Sequence, residues 1–236
     1  MEDRDELILN HIGVYRLSFR KVLERMFFDG RNCGNVVQRL LDAGRIQSRG
    51  GLPNRVRYYQ LTPSETIARG LPVVRSRPLK SQASLHHMGV LWFCCMSAAR
   101  RVRMEPEELE KFDAGFPLMP QAAHCIEGGS SPRIYRVEVV GPNTGVTGLI
   151  NRLNARIHEA LKHHILNQWV RTRRYAFAIL AESGQRRKLI EAALARRSVH
   201  KLAHIVVEYA PGHRTIFEAL NEQTTAPIPT GAKRAI

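Results

Sequence analysis

An apolar stripe at helical spacing, Val36, Val37, Leu40 and Leu41, stops at Gly44. Two short β-prone runs, RIQS and RVRYYQL, follow it around Gly50, Gly51, Pro53 and Asn54, the residue types that build turns. Upstream, Asp3 to His11 carries Leu7 and Ile8 on a short helix. Ser18 stands as an N-cap before FRKVLERMFF, where Phe19, Val22, Leu23, Met26 and Phe27 recur at helical spacing until Asp29-Gly30. Three helices and a two-stranded wing form the pattern of a winged helix-turn-helix.

The third helix, Asn32 to Ala43, leaves a polar face of Arg31, Asn32, Asn35, Gln38 and Arg39. These residue types read base edges, Arg with guanine and Asn or Gln with adenine. Arg49, Arg55 and Arg57 lie in the wing, in a stretch with no acid from Gly44 to Thr62, and are expected to clamp phosphates or an adjacent minor groove. The other reading of the helix is a solvated face, with Arg31 and Asn32 serving as caps. Thirty-six Lys and Arg against 21 Asp and Glu, a formal net charge of +15, favour an anionic polymer, double-stranded DNA, as partner.

The remainder alternates helix and strand. A helix is expected from Ser84 to Arg103, strands at Ala122–Ile126 and Ile134–Val140, and a long amphipathic helix from Val146 to Trp169 with Thr144 or Thr147 as its cap. A strand at Tyr175–Ala181, a helix at Gln185–Arg196 and a strand at His204–Tyr209 complete an α/β rhythm with some parallel pairing. The expected division is a winged helix over 1–70, a linker over 71–83, an α/β domain over 84–220 and a disordered tail over 221–236. Between Asn151 and Lys201, twelve basic residues face only Glu159, Glu182 and Glu191, which makes either a second DNA-facing surface or a set of solvated helix faces.

Cys33, Cys94, Cys95 and Cys125 lack the spacing of a metal or disulfide framework and read as reduced thiols. The acidic start, MEDRDELILNHIG, has no signal-peptide order, and no apolar run approaches the roughly 20 residues needed to span a bilayer. A cytoplasmic protein with no membrane partner is expected. His86-His87 and His163-His164 fall in helices where neighbours point about 100° apart, which argues against a metal or a relaxase site. GPNTGVTG, Gly141 to Gly148, lacks the Lys and hydroxyl ending of a phosphate-binding loop, and no cofactor is expected.

LHHMGVLWFCCMSAARRVR, FPLMPQAAHCI and RIYRVEVVGPNTG, followed by a long helix, resemble the replication-relaxation family of plasmid and mobile-element proteins. The resemblance runs from about Ile8 to Tyr209 and implies an α+β chain, with a winged helix before a restriction-endonuclease-like domain of the PD-(D/E)xK type. In that pattern a Pro-Asp pair precedes one strand and a Glu-centred motif lies on the next. Here the matching residues are Pro120-Gln121 and Glu138, with Val140 where a Lys is expected, so the implied metal site is degenerate. Glu127 could supply the missing acid, or Glu138 could simply pair with Arg136 or Arg152. The expected function is that of a sequence-specific DNA-binding accessory protein in relaxation, mobilisation for conjugation, or replication, without catalysis of its own. A relaxase or replication enzyme is its expected partner, and a homodimer would match a repeated site. A winged-helix repressor and a metal-dependent nuclease are the alternatives.

Overall fold

The computed structural model describes residues 3–112, 115–117, 122–197 and 199–222. It is a mixed α+β protein whose chain divides into two compact units, Met1–Leu79 together with His213–Ile236, and Lys80–Gly212.

In the first unit α1 (Arg4–Tyr15) starts at Asp3, whose Oδ1 accepts from the Asp5 amide at 3.2 Å. Then come α2 (Arg20–Phe27) and α3 (Gly34–Asp42). Gly44 ends α3 at φ 65°, donating to the Leu41 carbonyl at 2.9 Å, while the Arg45 amide reaches the Leu40 carbonyl at 3.0 Å. A residue with a Cβ would be strained at that φ, so the glycine sets the point where helix gives way to strand. Strands β1 (Ile46–Arg49) and β2 (Tyr58–Leu61) pair antiparallel, with Ile46 opposite Leu61 and Arg49 opposite Tyr58. Ile8, Ile12, Leu23, Val37, Leu40, Ile46 and Leu61 share one core, so the helices and the hairpin bury a common apolar face.

Ser18 does not cap α2. Phe19 stands at that position without a side-chain cap bond, and Ser18 instead exchanges backbone hydrogen bonds with Tyr59 at 3.0 and 2.8 Å, tying the hairpin to the segment between α1 and α2. Helix α4 (Pro63–Ala68) begins at Thr62, whose hydroxyl accepts from the Glu65 amide at 3.3 Å. The following stretch, expected as linker, is held to this unit. Gln47 Nε2 donates to the Ser76 carbonyl at 3.0 Å, Gln60 Nε2 to the Arg77 carbonyl at 3.4 Å and Arg16 Nη2 to the Val74 carbonyl at 3.0 Å. Gly70, at φ 66°, closes the end of α4, and side chains from elsewhere in the unit satisfy carbonyls of the stretch that follows.

The second unit contains α5 (Ser81–Cys95), β3 (Arg101–Met104), α6 (Pro106–Phe112), β4 (Ala123–Glu127), β5 (Arg133–Val139), α7 (Val146–Lys162), α8 (His164–Arg171), β6 (Tyr175–Ala181), α9 (Gly184–Ala195), α10 (Val199–Leu202) and β7 (His204–Tyr209). The five strands are ordered β3-β4-β5-β6-β7, the first two pairs antiparallel and the last two parallel. Each parallel pair is joined by a helical crossover, as parallel strands require. On one face α5 approaches β5 so closely at Gly89 that a Cβ there would stand 2.7 Å from Val139 Cγ2. On the other, Leu149, Leu153 and Ile157 of α7 pack with Tyr175, Phe177 and Ile179 of β6.

Two expected helices are corrected. The helix from Ser84 to Arg103 ends at Cys95, and Arg101–Met104 is the edge strand β3. The helix from Val146 to Trp169 breaks at His163, whose extended backbone (φ −87°, ψ 125°) separates α7 from α8. Neither Thr144 nor Thr147 caps α7, which has no side-chain cap. Helix α11 (Ile216–Glu222) includes Asn221 and Glu222, the first residues of the expected tail, and the rest of that tail lies outside the described residues. Among the described residues no helix is long and apolar enough to cross a membrane.

Candidate functional site

Asn35, Gln38 and Arg39 are exposed on α3, on the side away from buried Val37 and Leu40. The helical repeat puts them on one face, but most of the expected reading set already has intramolecular partners. Arg39 Nη2 donates to both carboxylate oxygens of Asp5, at 2.6 and 2.8 Å. Gln38 Nε2 donates to Asp42 Oδ1 at 2.8 Å. Asn32 Oδ1 accepts from the Gly34 amide and from Arg20 Nη2, both at 2.6 Å, so this side chain holds the first amide of α3 although Cys33 occupies the N-cap position. Arg31 Nε donates to the Phe28 carbonyl at 3.2 Å, with Asp29 3.6 Å from its Nη2.

The hairpin differs. Its connection holds a 3-10 turn, Pro53–Arg55, in which Asn54 (φ 55°) and Arg55 (φ 56°) are both left-handed. Asn tolerates that region, whereas Arg is strained there. Arg55 is exposed, and so is Arg57, whose Nη1 lies 3.4 Å from Ser48 Oγ. Arg49 is turned back and partly buried, its Nη2 3.5 Å from the Ser76 carbonyl. The basic tip therefore consists of Arg55 and Arg57, and Arg49 belongs to the packing of the unit.

Sequence reasoning missed the four-membered network of Glu6, Arg45, Glu65 and Arg69. Arg45 reaches Glu65 through two hydrogen bonds of 2.9 Å and Glu6 at 2.8 Å, and Arg69 reaches Glu65 at 2.6 Å and also pairs with Glu6. Hydrogen bonds from Arg45 first, then Arg69, hold both carboxylates below their usual range. Only the i,i+4 pair Glu65 and Arg69 was visible as a spacing.

In the second unit Glu138, on β5, accepts from Arg152 Nη2 at 3.2 Å on Oε1 and from Arg156 Nη1 on Oε2. The two arginines stand one turn apart on α7. Val140 is buried, its amide bonded to the Leu180 carbonyl at 3.0 Å, and Gln121 with Pro120 lies outside the described residues. Glu127 accepts from Arg101 Nε at 2.8 Å, and its register opposite Arg133 puts it on the sheet face opposite to Glu138. These residues do not fit a divalent metal centre: the one carboxylate at the expected strand position is neutralised by two guanidinium groups, and the substitute acid faces the other way.

Two histidines are engaged in other ways. His87 Nδ1 lies 3.4 Å from Arg103 Nη1, and His124, buried beneath α7, is 3.1 Å from the Tyr175 hydroxyl. Burial first, then Arg136, lowers His124 to a pKa of about 3, so its ring is neutral at ordinary pH. Among the described residues no three His, Cys, Asp or Glu side chains gather as a metal site. Compared with family models, with curated proteins and with solved structures, the chain finds no match in any of the three.

Proposed function

We propose that this chain is a double-stranded DNA-binding accessory factor, whose first unit works as a winged helix and whose second is an endonuclease-like fold kept without catalysis. The observation that carries the reading is the hairpin behind three helices, with Arg55 and Arg57 exposed at its tip in an acid-free stretch. The Ser18–Tyr59 bridge supports it, because a phosphate clamp needs a fixed arm. The net charge of +15 adds a long-range attraction for the same partner. For the second unit, support comes from Glu138, held by Arg152 and Arg156 where a nuclease would need a metal ligand. The plasmid or mobile-element setting, the relaxase or replication enzyme as partner, and a dimer on a repeated site rest on the family resemblance.

The test is selection of sheared source-element DNA by the purified full chain at near-physiological salt, followed by sequencing. Enrichment of one discrete site beside a transfer or replication origin is the expected outcome. Enrichment over a promoter would make the chain a repressor, and failure to retain any duplex at low salt would sink DNA binding altogether.

A further inference from the structure

Two arginines of α7 share a single carboxylate, that of Glu138 on β5. Arg152 gives only one Nη to Glu138, and so does Arg156. Neither has another hydrogen-bond partner among the described residues. A guanidinium carries five N–H donors, so most of both forks is unused. The side chains are half and one-third exposed (50% and 34%), whereas Glu138 is 14% exposed, so the carboxylate forms the floor and the arginines the rim. Two positive charges against one negative leave an excess of one. Gly148, one turn before Arg152, has no side chain to cover the outer edge of that guanidinium. A Cβ there would sit 3.7 Å from Nη1. Arg136 lies on the same face of β5, opposite His124 of β4.

We infer that Arg152 and Arg156 form a backbone-phosphate grip for DNA, with Glu138 as an internal counter-charge that weakens the grip. The inference rests on the DNA-binding reading above and extends it to a second, sequence-independent contact. One turn of helix rises about 5.4 Å, which lets the two side chains engage a single strand together. The phosphate takes the outward donors, and the floor carboxylate opposes it by charge alone.

The experiment is binding of the full chain to a labelled duplex of arbitrary sequence over a salt series. Arg152→Ala with Arg156→Ala should weaken binding about tenfold and make the slope of log affinity against log salt shallower by about 2. Glu138→Gln should tighten binding about threefold. Glu110→Gln, the same charge change at an exposed site on α6 that bonds neither arginine, should leave it within about a factor of 1.5, since a fully hydrated charge is screened. If Glu138→Gln does not fold, Arg152→Ala alone serves, because that half-exposed side chain can be removed without opening the core, and it should make the slope shallower by about 1. Unchanged affinity and slope in the arginine variants, while Arg55→Ala with Arg57→Ala weakens binding, would overturn this inference and leave the reading of the first unit intact. A wild-type chain that binds no duplex would overturn both.

Discussion

The polar face of α3 and the tip of the hairpin look alike in sequence, each a cluster of arginines and amides beside an apolar run. The structure separates them. On α3, Arg39 is paired with Asp5, Gln38 is tied to Asp42 and Asn32 holds the first helical amide, whereas Arg55 and Arg57 stand exposed, Arg55 on a strained turn. A charge already paired within the fold attracts a phosphate less than one facing only water, because binding must first replace the internal partner. On the proposed DNA-binding reading, the hairpin should therefore dominate affinity, and any discrimination by α3 should come through exposed Asn35.

That difference can be broken experimentally. The largest effect should come from Arg55→Ala with Arg57→Ala, about thirtyfold weaker duplex binding with a salt slope shallower by about 2, read by fluorescence anisotropy. Equal affinity for this variant and wild type would remove the hairpin from the interface.

Acid should act on the same arm. His11 is buried against Ser18 Oγ at 3.0 Å, and burial lowers its pKa to about 3. Between about 6.5 and 3 the unfolded chain takes up a proton that the folded chain refuses, so stability falls as pH drops through that window. From pH 7 to 5 the loss should be on the order of 2 kcal/mol for this histidine. His124 adds a similar acid dependence in the second unit. Glu6 and Glu65 add a further loss below the ordinary carboxylate range, because their depressed pKa values stabilise the fold only while they are ionised. Urea denaturation at the two pH values checks this, and His11→Gln should flatten the dependence.

Asn32→Ala should cost about 1 kcal/mol of stability with duplex affinity nearly unchanged, as expected of a side chain that satisfies a helix-start amide. A large loss of affinity in a folded Asn32→Ala protein would return this residue to the reading face. The smallest effect should be that of Asp5→Asn, about twofold tighter binding as Arg39, itself 63% exposed, is released from its partner.

Much of the fold was legible because its signals are local. Strand β6 is an unbroken apolar run, β7 is built around Ile205, Val206 and Val207, and Gly44 marks the end of α3 by its own backbone freedom. Strand β3 was hidden inside an expected helix, since Arg101 and Arg103 are poor strand markers until Glu127 and Glu208 come together around Arg101 in space. The break at His163 was hidden too, because Leu161 and Ile165 continue the apolar stripe across it and pack on the same core. At the candidate site, sequence located the residue types but not their partners. Asp5 lies 34 positions from Arg39, and nothing local announces that pairing.

Arg101 sits on one edge of the five-stranded sheet, yet besides Glu127 it donates to Glu208 on the opposite edge strand, at 2.7 and 3.0 Å, with its guanidinium carbon 3.9 Å from the centre of the Phe93 ring. Edge strands ordinarily fray first, since each has only one neighbour. Here neither edge can peel away without stripping a buried guanidinium of a carboxylate. Amide exchange in β3 and β7 should accordingly track that of central β5, so that the sheet opens as one cooperative unit rather than from its margins inward.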